Sequence, residues 1–212
     1  MTPTAVFDLD KVLLGGDAST LFLRGRVREA PWRALPLLLA APVLLPAAAV
    51  PQLRPLAARA MTRLAVGGSS DDDVDAVARA YRSALVVKPG AAIADALACV
   101  RSHERAGDLV VVATGCEETL ARGFLTALGL GRIDVVGSRA TFPPRRAMGG
   151  SKVGMLVERG YPPPWTVVYS DSPSDVPLFA RTPRPVLVNA DVKAARKVER
   201  ALGRPPEART WR

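Results

Sequence analysis

The chain has 212 residues, enough for one core with a large insertion rather than two full domains. Apolar residues make up 49% and charged residues 23%, which excludes disorder as the main state. The net charge of +9 favours anionic partners, while aromatics at only 5% argue against a base-stacking platform, so no nucleic-acid partner is expected.

Residues 4–7 form a short apolar, β-prone run that ends at Asp8-Leu9-Asp10, a buried strand presenting two carboxylates at its end. Residues 14–88 lack a convincing strand and read as helical, being rich in Ala, Leu, Arg and Pro. They form a helical cap inserted into a core made of residues 1–13 and 89–212. Ser69 to Asp73 open a helix running to about Leu85, where the carboxylates meet unpaired backbone N–H groups. Residues 91–105 place Ile93, Leu97 and Val100 at helical spacing and stop at Gly107. A second apolar strand, residues 109–113, ends at Thr114-Gly115, and a helix over 117–128 follows. Residues 133–136 form a weaker strand and 152–159 a helix. A fourth strand, 166–169, ends at Ser170-Asp171. A fifth, 185–188, ends at Asn189, and a helix over 191–202 follows. Continuous apolar strands separated by helices predict a doubly wound α/β fold with a mostly parallel sheet covered on both faces.

Asp8, Asp10, Thr114 and Asp171 all follow apolar strands, at the edge where open α/β sheets place their sites. Each has a use if the substrate is a phosphate monoester. An aspartate can attack phosphorus, splitting one hard displacement into two easier ones. Two anions must then meet, and Mg²⁺ suits that task, with Asp8 and Asp171 as oxygen ligands. Asp10 points away along an extended strand end unless the chain turns there; a turn lets it serve as general acid and then general base. Lys152 and Thr114 would hold phosphoryl oxygens. A lone Asp at a strand end is more often a helix cap than a catalyst, so Asp134 and Asp191 are left unassigned; Cys116 reads as a small space-filler and His103 as an undistinguished surface residue.

Phe7-Asp8-Leu9-Asp10-Lys11-Val12-Leu13 resembles the first motif of the haloacid dehalogenase superfamily, DxDx[TV]. Thr114 resembles the second motif, Lys152 the third, and Asp171-Ser172-Pro173-Ser174-Asp175 the DxxxD fourth. The resemblance implies that Asp8 is the nucleophile and Asp10 the acid/base. It implies Mg²⁺ held by Asp8, by the backbone carbonyl of Asp10 and by Asp171, with Asp175 supporting the metal site. Aspartate at position 10 favours phosphatases over dehalogenases. The long interval before Thr114 places the cap as in the phosphoserine phosphatase-like subfamily. Asp17 stands where that subfamily has a cap glutamate, and Gly115-Cys116 replaces its Gly-Gly; both Asp17 and Gly115 are therefore candidate substrate-binding residues. The fourth motif looks more like that of bacterial phosphatidylglycerophosphatases. Lys11 either touches substrate or sits at the rim.

Residues 34–53 carry no charge, yet contain Pro36, Pro42, Pro46 and Pro51, each costly inside a helix. A single span there would put Asp8 on one side of a bilayer and Thr114, Lys152 and Asp171 on the other. The segment must instead return, lie along the interface or fold into the cap. Arg24, Arg26, Arg28 and Arg33 precede it and Arg54, Arg59 and Arg63 follow, the pattern an anionic lipid surface attracts. The two cysteines form no CxxC, which excludes a disulfide scaffold and a thiolate zinc site and fits a cytoplasmic protein. No signal-peptide pattern precedes Asp8. These features predict a Mg²⁺-dependent phosphomonoesterase acting on a lipid phosphate at the cytoplasmic membrane face. The alternatives are a soluble metabolite phosphatase and a non-catalytic membrane-binding or scaffolding protein of the same fold. Oligomeric state has no sequence signal.

Overall fold

The computed structural model describes residues 2–29, 34–50, 57, 60, 74–139 and 147–212. Strands β1 (Thr4–Phe7), β2 (Leu109–Glu117), β3 (Asp134–Ser138), β4 (Val167–Ser170), β5 (Arg184–Val188) and β6 (Glu207–Arg209) form one sheet in the order β3-β2-β1-β4-β5-β6. Every neighbouring pair is parallel, as the continuous apolar runs predict. Val6 sits level with Val111 on one side and Val168 on the other. These three side chains enter one core layer, while Phe7, Val112 and Tyr169 enter the opposite one. Both faces are buried, so no polar alternation is needed.

Helices α1 (Ala18–Glu29), α2 (Ala34–Ala49) and α3 (Val74–Val87) fall within the interval read as a cap. The remaining helices are α4 (Ala94–Ala106), α5 (Glu118–Ala127), α6 (Gly150–Glu158), α7 (Val176–Phe179) and α8 (Val192–Leu202). Residues of α1, α3, α4 and α5 fill one layer and residues of α6, α7 and α8 the other. The α1–α3 pair is continuous with the first layer. Phe22 and Phe124 both pack on the Tyr81 ring, and the Tyr81 hydroxyl donates to the Ala18 carbonyl at 3.0 Å.

Small residues make this junction possible. A Cβ at Gly25 of α1 would lie 1.8 Å from the Ala80 carbonyl oxygen of α3, and one at Gly123 of α5 would lie 2.3 Å from Val77 Cγ1. Helix α3 is thus gripped from two sides at positions where only glycine fits.

Several boundaries differ from expectation. β2 runs on to Glu117, with a register shift against β3 between Ala113 and Glu117. Thr114 therefore lies within an irregular strand end rather than beyond it. β6 carries no apolar run and was not anticipated; it adds to the edge by pairing with Val186–Val188. Helix α2 continues through Pro42 and Pro46. Gly107 caps α4 in the left-handed region at φ 80°, as expected, and Asp191 caps α8 by accepting the Ala194 N–H at 2.7 Å. Ser69 to Asp73 and residues 51–53 lie outside the described residues.

Candidate active site

Strand order reverses direction on either side of β1, and the crevice at the carboxyl ends of β1 and β4 is where such sheets bind ligands. Five of the predicted residues meet there. The Asp8 N–H donates to the Tyr169 carbonyl at 2.8 Å, a last rung of the β1–β4 pairing. Immediately after it the chain turns: the Leu9 carbonyl accepts the N–H groups of Leu13 and Leu14 at 2.9 and 3.0 Å. Lys11 adopts φ 60°, the left-handed conformation the turn demands. The Asp10 carboxylate then accepts the Ala18 N–H at 3.0 Å, at the start of α1. The turn left open by the sequence is therefore present.

Lys152, on α6, is 3% exposed and is the centre of the cluster. Its Nζ lies 2.9 Å from Asp175 Oδ2 and 3.3 Å from Asp8 Oδ1. Ser170 Oγ donates to the same Asp175 Oδ2 at 2.7 Å. Asp175 Oδ1 is buried with no hydrogen-bond partner among the described residues. Burial raises the Asp8 pKa to about 7 despite Lys152, with Asp175 adding to the rise. Burial likewise raises Asp10 to about 6, opposed by the Ala18 N–H. The Asp8 and Asp175 carboxylates outweigh burial at Lys152 and hold its pKa above the ordinary lysine value. Asp171 is raised chiefly by burial, with Lys11 pulling the other way. Carboxylates crowded into a poorly solvated site in this way call for a cation.

The other predicted residues lie around this centre. Lys11 Nζ is 3.6 Å from Asp171 Oδ2, and its side chain is largely exposed, a rim position. Thr114 is fully buried; its hydroxyl oxygen accepts the Cys116 N–H at 3.0 Å, a bond that leaves the hydroxyl proton uncommitted. Gly115 is exposed, and its carbonyl accepts from Ser138 Oγ at 2.8 Å. Asp17 caps α1, accepting the Thr20 N–H at 2.8 Å and the Thr20 hydroxyl at 2.9 Å. It also lines a cavity of about 180 Å³ together with Gly15, Thr20, Arg24 and Lys88.

Three residues outside the predicted set hold the site together. Ser170 fixes Asp175. Ser138 ties the end of β2 to the Ala147 N–H at 3.1 Å. Asn189, at φ 51°, donates to the Lys11 carbonyl at 3.4 Å and accepts the Trp211 N–H at 2.8 Å, joining the C-terminal segment to the first loop. Only the position of Ser170 and Asn189 at strand ends signals them in sequence. His103 is not a plain surface residue. Its Nδ1 lies 2.6 Å from Asp108 Oδ2 and its Nε2 lies 3.0 Å from the Tyr169 hydroxyl. Asp134 is not a helix cap: it is in β3, paired with Arg122 and Arg159, each at 3.2 Å.

The sequence matches the family of haloacid dehalogenase-like hydrolases over residues 5–180. The chain belongs to the haloacid dehalogenase-like hydrolases. No curated protein matches. Solved structures share the fold of this haloacid dehalogenase-like hydrolase. A Bordetella pertussis Tohama I protein of unknown function is 21% identical with TM-score 0.57, covering 98% of this chain and 99% of its own. A hydrolase from Pseudomonas syringae is 15% identical with TM-score 0.51, covering 99% and 94%. A phospho-aspartyl intermediate analogue of phosphoserine phosphatase is 15% identical with TM-score 0.53, covering 92% and 90%.

Among the described residues, no group of three or more His, Cys, Asp or Glu side chains is placed to hold a metal. The hydrolase's expected ligand set needs only two such side chains, Asp8 and Asp171, with the main-chain carbonyl of Asp10. One or two carboxylates plus substrate oxygens is the usual share that protein supplies to Mg²⁺. The all-oxygen donors, with Asp10 close enough to repel both Asp8 and Asp171, fit that ion.

Proposed function

We propose that this hydrolase is a Mg²⁺-dependent phosphomonoesterase working through an aspartyl-phosphate on Asp8, with a lipid phosphate such as phosphatidylglycerophosphate as substrate. The observation that carries the chemistry is the buried Lys152 bridging Asp8 and Asp175 at 3.3 and 2.9 Å. It holds the carboxylate that would attack phosphorus and supplies fixed positive charge where negative charge develops. An Asp8 oxygen forms the bond to phosphorus as the bond to the ester oxygen breaks. Asp10, raised to about 6, gives its proton to the departing oxygen and then takes one from the water that cleaves the acyl phosphate. Thr114 offers its hydroxyl proton to the phosphoryl group. Mg²⁺ on Asp8, the Asp10 carbonyl and Asp171 would lower the repulsion between the two anions. Asp175 supports the site through Lys152.

The lipid half of the reading rests on the charge-free segment and its basic flanks. A soluble metabolite phosphatase is favoured by a different observation. The cavity of about 180 Å³, lined by Arg24, Lys88 and Asp17, has room for a small polar head carrying a second anionic group. The phosphoserine phosphatase fold similarity supports the same alternative.

One screen tests both. Phosphate release is measured with and without chelator on detergent-solubilised lipid phosphates, phosphoserine and nucleotides. Wild-type protein should release phosphate in a Mg²⁺-dependent way, and Asp8→Asn should fall to background. Preference for soluble esters would reject the lipid substrate. Equal background release by both proteins over the whole panel would overturn the enzymatic reading in favour of a non-catalytic binding protein.

A further inference from the structure

Helix α2 is apolar all round, yet it turns large apolar side chains to solvent. Leu35, Leu38, Leu39, Pro42 and Val43 follow the spacing of a single helical face, and all are exposed. The leucines are 60%, 67% and 74% exposed, Val43 is 72% exposed, and Leu45 at the flank is 64% exposed. The opposite face, with Ala40, Ala41, Leu44 and Ala47, is the half-buried one. Five of the six described Leu and Val side chains of α2 thus point to solvent, Leu44 being the half-buried one. Contiguous apolar surface of this kind marks an interaction site rather than scattered exposure.

Charge selects among the occupants. Residues 34–53 contain no charged side chain, yet arginines stand on both sides in sequence, among them the exposed Arg24 and Arg28 of α1. A second copy would bring one +9 chain against another. It would also gain too little: a face of about 24 by ~10 Å falls well below the roughly 800 Å² per partner of a stable interface. A bilayer meets both demands, since acyl chains accept the leucines and anionic headgroups accept the arginines. Spanning is excluded for this element. Sixteen residues rise about 24 Å against a hydrocarbon core of ~30 Å, and no helix among the described residues is long and apolar enough to cross a membrane.

We propose that α2 is an interfacial docking helix that seats the protein on an anionic bilayer, with Leu35, Leu38, Leu39 and Val43 among the acyl chains. This deepens the lipid half of the proposed function and is independent of the chemistry at Asp8.

The test is flotation with vesicles of equimolar phosphatidylglycerol and phosphatidylcholine beside pure phosphatidylcholine. Hydrolysis of soluble p-nitrophenyl phosphate is measured in parallel. Wild-type protein should float with the anionic vesicles, less with the neutral ones, and progressively less as salt rises. The double substitution Leu38→Glu, Leu39→Glu should lower the bound-to-free ratio roughly tenfold or more. Val43→Gln, a milder change on the same face, should act in the same direction, and all variants should retain soluble hydrolysis. Wild-type protein staying in the soluble fraction, or floating equally on both vesicles, overturns the proposal. So does equal flotation of wild-type and variant proteins, or a wild-type dimer that the double substitution dissociates. Flotation with no phosphate release from either p-nitrophenyl phosphate or a lipid phosphate leaves docking standing and rejects the phosphatase chemistry. Hydrolysis without flotation does the reverse.

Discussion

Lys152 shows how much a single residue can depend on its neighbours. Alone in sequence it is a solvated lysine. In the fold it is buried against two carboxylates and raised in pKa by them. Replacing it with methionine strands two buried acids, so Lys152→Met should cost about 3–5 kcal/mol of unfolding free energy in urea titration. Part of that cost is the charge left on Asp8. The double variant Lys152→Met, Asp8→Asn should therefore be less unstable than the two single losses added together, by roughly 0.5–3 kcal/mol. Strict additivity would show that the two residues do not share the contact. His103 carries a second residue-scale prediction. The Cys99 thiol and then the Asp108 carboxylate raise its pKa above 6.5, against burial. A raised histidine contributes stability that is complete below 6.5 and is lost as pH climbs through the folded value. The stability gap between wild type and His103→Gln should then be widest near pH 6 and narrow steadily above it, as followed by urea titration across pH. A gap independent of pH would place His103 in a packing role only. Asp8, Asp10 and Asp171 were legible because each follows a strand whose apolar pattern is strong, whereas Lys152 and Asp175 stood out only through their places in the motif order of the family the chain resembles. Ser138, Ser170 and Asn189 were not, because a hydroxyl or amide acquires its meaning from what lies across the crevice.

At the scale of elements, helix propensity and packing compete where α3 meets its neighbours. Glycine inside a helix costs ~1 kcal/mol relative to alanine, so Gly→Ala stabilises wherever there is room. Gly154 of α6 has room, with nothing within 4 Å of an added Cβ. Gly123 does not, meeting Val77 side-chain atoms at 2.3 and 2.7 Å, and Gly25 meets the Ala80 backbone at 1.8 Å. Val77 is stiff at χ1 and its Cβ is fixed to the backbone, so neither crossing relaxes without moving a helix, and the closer approach at Gly25 is the more severe. Thermal melts should therefore rank Gly154→Ala above wild type, Gly123→Ala below it, and Gly25→Ala lowest, with losses of roughly 1–3 kcal/mol or more at the two crossings. Reversal of the last two would mean that α1 and α3 do not cross where described. Strand and helix positions were readable from apolar periodicity to within a few residues. β6 was not, since Glu-Ala-Arg has no apolar run and gains its strand character only by pairing with β5. The outward face of α2 was equally hidden, because a segment apolar all round does not declare which side turns to solvent.

At the scale of the molecule, the site joins parts of the chain that are remote in sequence. Asp8 and Asp10 come from the loop after β1, Lys152 from α6, and Asp171 and Asp175 from the loop after β4. A ligand that bridges these parts stabilises the whole sheet, because unfolding must release it. At a hundred times its dissociation constant such a ligand adds about 2.7 kcal/mol. For a chain of this length each kcal/mol moves the midpoint by about 2–4 °C. Mg²⁺ should therefore raise the melting temperature by roughly 5–10 °C at saturation, measured by differential scanning fluorimetry against chelator. Asp171→Asn removes one oxygen charge from the expected ligand set and leaves Lys152 and its partners in place. It should weaken the Mg²⁺ response strongly while changing the melting temperature in chelator little. Ca²⁺ at matched concentration should give a smaller rise if the site demands compact octahedral oxygens. A Mg²⁺ response identical in wild type and Asp171→Asn would move the cation away from the β1–β4 crevice, and with it the joint role of these loops.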